Sequence, residues 1–501
     1  MKARHILLFS AVSLLGLSQA ALLHSQPYID SWSTVCDTTS TGDGANSWGG
    51  HQCSIVRNSA GAIYTVYTVA GPSELKRAFR VVRKTEDGWE TVAQGPSGRE
   101  PAQILIGPDD RLYVVCWPDG HPKLWESDTD GNNFAASDIP GNWDPGNNWP
   151  YFSTGIDEVG TLYVLASGGG RPGYFKLAYR SPGAGAWSDV KKIDIDYRYC
   201  YTYMAPQAGH ELHLASLRDV TWDELGYTQP AGAFDYCFNA VKSWYSPGLT
   251  SRELTETLIR EEKPTGQYPN PNISFNYNGD FYVDQRGRSH ILCPVSGAGT
   301  GGTARLVHYI LDGTATVASV ELPAAIKNGR LIQNEKGKFF LITFKNGSLV
   351  VYPASDANGV QLEAPTTISL AGHTVLYSNL HLAAPRCGVP LSDEVDIIFP
   401  SGTSAEAWVY FKLHLPEGAP ADSTLLPVQD IRVYPNPVGG ALFISGLEGH
   451  AKITLYGVWG NIVFYRENNA GYIDIANLPA GVYILQAEAS SGVITRKIVK
   501  R

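Results

Sequence analysis

The residues able to do chemistry gather in short strings rich in glycine and proline. These are "NSWGGHQ" (46–52), "PSGREP" (96–101), "PDGHPKLW" (118–125), "GNWDPGNNWPYF" (141–152), "GGGRPGY" (168–174) and "GQYPNPN" (266–272). They bring Trp48, His51, Arg99, His121, Trp143, Trp149, Tyr151, Arg171 and Tyr268 into loop-like surroundings. A neutral imidazole, with an ordinary pKa near ~6.5, takes up a proton close to neutrality, which makes His51 and His121 candidate bases. A guanidinium binds planar oxygen pairs through two parallel hydrogen bonds, a role open to Arg99 and Arg171. Flat aromatic rings pack against the apolar face of a pyranose while polar groups take its hydroxyls, so Trp48, Trp143, Trp149 and Tyr268 suit sugar binding. Tyr151 and Tyr268 offer phenols as proton donors. A hydrolase would instead need two carboxylates at a fixed separation, and Asp119, Asp144 and Asp280 are candidates that no spacing pairs.

These strings punctuate a recurring strand. Aligned on one position, its copies are "NSAGAIYTV" (Tyr64), "PDDRLYVV" (Tyr113), "DEVGTLYVL" (Tyr163), "QAGHELHLA" (His213), "DQRGRSHIL" (His290) and "NEKGKFFLI" (Phe340), with a weaker copy around Asp396. The successive steps are 49, 50, 50, 77, 50 and 56 residues. A unit near fifty residues with several strands is the pattern of a β-propeller, whose small sheets bury their faces against their neighbours. Each copy is expected to be the second strand of a four-stranded blade. Seven blades span 49–418, with six as the alternative, and the long step holds an insertion over about 217–245. At the aligned positions, His213 and His290 included, core packing is the expected role. On this plan the chemistry-bearing strings fall on one face, made by loops entering each blade and loops leaving its second strand.

The rest of the chain sets the context. Of 501 residues, 43% are hydrophobic and 17% charged, a globular composition. Lys2 and Arg4, the twelve-residue apolar run "ILLFSAVSLLGL" and the small residues Ser18 and Ala20 predict a signal peptide over 1–20. Residues 21–48 form a lead segment. No other run is long enough to span a membrane as a helix. Cleavage takes the net charge from −9 to −11, and no Lys/Arg cluster remains, which argues against nucleic-acid binding. Seven cysteines, an odd number, leave at least one unpaired or bridging chains, although an exported chain can oxidise the others. No CxxC or Cys/His cluster is present, so a structural zinc site is not expected; no cofactor is expected, a structural calcium being the one alternative. Fragments such as "DTDGNN" (128–133) are expected to be tight hairpin turns.

After a proline-rich linker (419–427), residues 428–501 read as six or seven short strands, a small Ig-like β-sandwich. Its "YPNP" (434–437), "LYGVWG" (455–460), "LPAGVYIL" (478–485) and closing "KIVKR" resemble the C-terminal sorting domain of type IX secretion cargo. The resemblance implies the type IX machinery as a partner, passage across the outer membrane, removal of the domain, and release or anchoring at the cell surface.

Two resemblances concern the repeats. "YRSPGAGAW" (179–187) and "SDTDGNNF" (127–134) are similar to the aspartate-box hairpins of sialidase-type propellers. The stretch "REPAQILIGPDDRLYVVCWPDGH" resembles propeller polysaccharide lyases of the ulvan-degrading kind. In those, a histidine enters a blade and a second follows about twenty residues on. Here His121 holds the second place with Arg99–Pro101 in the first, whereas His51 holds a first place with Gly71 in the second. That resemblance implies β-elimination at a uronic acid. Arg99 or Arg171 neutralises the carboxylate, His51 or His121 removes the adjacent proton, and Tyr151 or Tyr268 protonates the leaving oxygen. The expected protein is a secreted all-β propeller with a glycan ligand. If it is an enzyme, a polysaccharide lyase comes ahead of a glycoside hydrolase. The alternative is a non-catalytic carbohydrate-binding or adhesion propeller.

Overall fold

A computed structural model describes residues 26–36, 49–144, 151–418 and 432–501. Excepted are 74, 251–252, 263–271, 274, 297–303, 376–378, 402–406, 435, 446–451, 458–461, 468–471 and 490–491. The chain divides into two compact units, one holding residues up to 421 and the other holding 422–501 together with 207–212 and 245–255.

Consecutive strands of the first unit build one small sheet after another. The first sheet runs Ile55–Arg57, Ile63–Ser73, Lys76–Lys84 and Trp89–Ser97 in chain order. Among the described residues six more follow, opening with strands Gln103–Ile106, Tyr151–Ile156, Tyr199–Gln207, Asn272–Ile273, Arg330–Gln333 and His381–Leu382. Each keeps the same up-and-down order with two exceptions. The fifth sheet has both Asn272–Ile273 and Asp280–Val283 beside its second strand. The last sheet takes its fourth strand from the other end of the chain, Tyr28–Cys36 pairing antiparallel with Ala407–His414.

The sequence step is the step between sheets. Tyr64, Tyr113, Tyr163, His213, His290, Phe340 and Asp396 lie near the start of the second strand of successive sheets, and each is at most 8% exposed. The turn before that strand explains the recurrence. In "NSAGA", "DEVGT", "DQRGR" and "NEKGK" the leading Asn58, Asp157, Asp284 and Asn334 accept a backbone N–H four residues on, at 2.7–2.9 Å. The glycine in fourth place has φ near +69 to +92°, open to a residue without Cβ. Side chain and glycine together fix each hairpin's register, so the aromatic position always faces inward.

The seven cysteines form no disulfide, and six are buried. The "DTDGNN" fragment is a turn: Asp128 accepts from the N–H groups of Asp130 and Asn132 and from Asn133 Nδ2. In the second unit a three-stranded and a four-stranded sheet share one core that includes Leu442, Ile453, Ile473, Leu485 and Ile498.

Candidate functional site

The segment that leads into the first sheet is held by a cation from a distant turn, Pro385–Cys387, and a second cation packs beside it. Arg386 donates through Nη1 to His51 O (2.5 Å) and through Nη2 to Gly50 O (2.8 Å) and Gln52 O (3.3 Å). Arg330, opening the sixth sheet, donates to Leu380 O (2.9 Å), to Asn379 Oδ1 (2.9 Å) and to Gly279 O. A Cβ on Gly50 would stand 2.3 Å from Arg330 Nη2, and one on Gly49 would stand 2.6 Å from His51 Nδ1. That close approach accounts for the two adjacent glycines.

His51 is 1% exposed. Burial, with Arg386, His381 and Arg330 nearby, holds its imidazole well below its ordinary pKa, so the ring is neutral. Its Nδ1 has no hydrogen-bond partner among the described residues. The ring meets Tyr201 edge-on at 5.7 Å and Tyr203 edge-on at 6.2 Å. Tyr203 donates to Gly279 O (3.1 Å), and burial pushes its phenol up to about 12. His381 is also buried; its Nδ1 lies 3.2 Å from Ser54 Oγ, and burial, with Arg330 and Arg386, lowers its pKa to about 3.

From Tyr201 the row of rings continues outward. Tyr201 has φ +56° inside an extended strand, a conformation costly for a bulky residue and typical of functional positions. Its ring meets Tyr151 at 5.0 Å, edge to face. Burial raises the Tyr151 phenol far above its ordinary value, so it keeps its proton. The Arg198 guanidinium lies 5.9 Å from the Tyr151 ring centre and 5.2 Å from that of Tyr236. Arg198 donates through Nε to Asp219 O (2.8 Å), and its Nη2 lies 3.4 Å from Asp219 Oδ1. His51, Tyr201, Tyr151 and Arg198 thus form one continuous row contributed by the first, fourth and third sheets.

The other expected site residues go to different places. Arg99 is buried, and its carbonyl accepts from Arg77 Nη1 (2.8 Å). His121 is exposed, in a short turn where its N–H donates to Pro118 O (3.2 Å), and it neighbours Asp138. Trp143 is 2% exposed; its indole N–H donates to Ile139 O and Pro140 O, and its ring meets Trp117 edge-on at 5.5 Å. These are core contacts, because the apolar bulk of the ring outweighs its one polar atom. Arg171 is exposed, donates to Glu224 O (3.1 Å) and lies 5.2 Å from the centre of the Tyr197 ring. Trp48, Trp149 and Tyr268 lie outside the described residues. The three carboxylates have separate settings: Asp144 is bound by Tyr174 and Lys176, Asp280 is buried and accepts from Leu331 N, and Asp119 is exposed.

Sequence reasoning missed Arg198, Tyr201, Tyr203 and His381. The string "DYRYCYTYMA" (196–205) carried a signal, since alternate tyrosines on a strand share a face. His381 and Arg386 sit in the weakest copy of the repeat and carried none.

Residues 432–501 match the family described as "Secretion system C-terminal sorting domain". The chain therefore carries a type IX sorting domain, which directs export across the outer membrane to the cell surface or beyond. An endo-acting ulvan lyase of Formosa agariphila is 35% identical over 74 residues, 14% of this chain and 14% of that protein. Among solved structures, that of polysaccharide lyase Uly1 aligns with TM-score 0.50 and 11% identity, over 78% of this chain and all of that one. A PL25 ulvan lyase structure aligns with TM-score 0.47 and 11% identity, over 77% of this chain and 96% of that one. At such identity the likeness to Uly1 shows the fold alone: an all-β, propeller-like body. Among the described residues no helix is long and apolar enough to cross a membrane.

Proposed function

We propose that this protein is a seven-bladed propeller that cleaves an extracellular, uronate-bearing polysaccharide by β-elimination. It enters the export route through the signal peptide at 1–20. What carries the proposal is the unbroken row His51–Tyr201–Tyr151–Arg198, which pairs a neutral imidazole bearing an unpartnered nitrogen with a protonated phenol and a cation. Asp219 uses part of the Arg198 guanidinium; with five donors, the remaining edge can take a substrate carboxylate. Neutralising that carboxylate acidifies the hydrogen on the carbon beside it. His51 Nδ1 takes that proton, the electron pair forms the new carbon–carbon double bond, and the bond from the neighbouring carbon to the glycosidic oxygen breaks. The leaving oxygen takes the phenol proton of Tyr151, whose ring is held edge to face against Tyr201.

A second function keeps one observation in its favour. His51 is 1% exposed, which suits a propeller that holds a glycan without cutting it. Incubating the full chain with acidic and neutral polysaccharides separates the cases. Elimination yields ultraviolet absorbance from unsaturated uronates. New reducing ends without that absorbance indicate hydrolysis. Retention on a polysaccharide with neither product indicates a binding module and sinks the lyase proposal.

A further inference from the structure

The insertion in the fourth sheet folds into a defined structure of its own. Val220–Thr221 pairs with Tyr236–Cys237 at its base. Trp222 Nε1 donates to Phe234 O (2.8 Å), and Gln229 Nε2 donates to Ala233 O (2.9 Å) and Asp235 Oδ1 (3.0 Å). Between these bonds lies an open cavity of about 570 Å³, lined by Trp222, Tyr227, Tyr236, Asp223, Gln229 and Asp235 among others. That volume suits a ligand of one or two sugar rings. Tyr236 belongs to both places: it lines the cavity, and its ring lies 5.2 Å from the Arg198 guanidinium.

The chemistry of the lining is selective. Tyr227 and Tyr236 offer flat ring surface, Tyr227 being exposed and Tyr236 half-buried. Trp222 is buried, and with its indole N–H on Phe234 O it forms the wall behind them. Asp223 and Asp235 are both exposed. Thr221 Oγ1 donates to Asp223 at 2.5 Å and, with backbone N–H groups, keeps that carboxyl below its ordinary pKa. Paired carboxylate oxygens accept well from adjacent sugar hydroxyls. They repel a sulfate or a second uronate, and among the described lining residues no Lys or Arg offsets them.

We infer that this cavity is a saccharide subsite that takes an uncharged pyranose lying next to the uronate held at Arg198. The inference rests on the proposed elimination for its neighbour but not for its own binding. It sets the substrate class: a polymer in which uronates alternate with, or are flanked by, neutral sugars, with sulfated repeats disfavoured.

The test measures binding of the full chain, by calorimetry, to neutral, uniformly sulfated and all-uronate hexasaccharides. At least one neutral hexasaccharide is expected to bind, and more tightly than its sulfated counterpart. Tyr227→Ala should weaken the neutral ligand about tenfold, the size of one lost ring contact. The double variant Asp223→Asn/Asp235→Asn should narrow the gap between neutral and sulfated ligands. Failure of every neutral hexasaccharide to bind overturns the inference. So does binding that Tyr227→Ala leaves unchanged, or preference for the sulfated ligand in the unaltered chain. Neutral binding without any cleavage would leave this subsite standing while removing the lyase proposal. Cleavage of sulfated and unsulfated uronate polymers at equal rates would do the reverse.

Discussion

At the scale of residues, the proposed chemistry depends on three groups that do different things. Tyr151→Phe removes a hydroxyl and little packing, so kcat should fall about 10²–10⁴-fold, the range for a lost general acid, with little change in melting temperature. Wild-type turnover in that variant would take Tyr151 out of the mechanism. Arg198→Lys keeps the charge but loses the fork that serves Asp219 and a substrate carboxylate together. KM for the uronate polymer should rise with it, and an unchanged KM would place the carboxylate elsewhere. The buried histidines also make stability depend on pH. His51 and His381 have folded pKa values below the unfolded 6.5, the latter at about 3. The unfolded chain binds their protons first as pH falls. Their neutral-state stability is therefore complete above about 6.5 and drains away toward the folded values, by about 1.4 kcal/mol per pH unit for each ring. Melting temperature scanned from pH 8 to pH 4 should drop once pH passes below about 6.5. A flat profile through that window would mean that both rings are charged in the folded chain.

Among the elements, the strand Tyr28–Cys36 carries more than its length suggests. It completes a sheet whose other strands lie at the far end of the body, with Tyr28 opposite His414 in register. The rings of Tyr28 and His414 stack at 4.4 Å, and Asp30 Oδ2 lies 2.7 Å from His414 Nε2. Without this strand, Ala407–His414 becomes a bare edge able to pair with another chain. Deleting residues 28–36 should lower the melting temperature by about 10 °C or more and broaden the size-exclusion profile toward aggregates. A deletion variant that stays monomeric and equally stable would show that the strand closes nothing. The four Asn/Asp–glycine turns matter in another way: they set register sheet by sheet, which is why the repeat could be read from the sequence.

For the molecule as a whole, the sorting segment predicts a two-stage life. Residues 432–501 match the secretion sorting family, and a proline-containing linker precedes them. The surface form should end near residue 427, with its first twenty residues gone. Intact mass of protein recovered from the surface of its natural host checks both ends. A mature chain that still reaches Arg501 would contradict removal of the segment.

The strands, their inward faces, the fifty-residue step and the sorting tail were all legible along the chain. All of these are local: a hairpin turn, an alternation or a short motif suffices to encode each. The sequence also marked His51 and Tyr151, which stand at the openings of their sheets. Which of the marked residues meet depends on the folded arrangement of the sheets. His51 and Arg386 are 335 positions apart in the chain, yet hydrogen-bonded, and Tyr201 reaches both His51 and Tyr151. Such contacts arise from how successive sheets pack against one another, and no pattern within a single repeat carries that information. The same packing sent Trp143 into the core and left His121 at the surface. One looked like a binding ring and the other like a base, but side-chain type does not say which way a loop will turn.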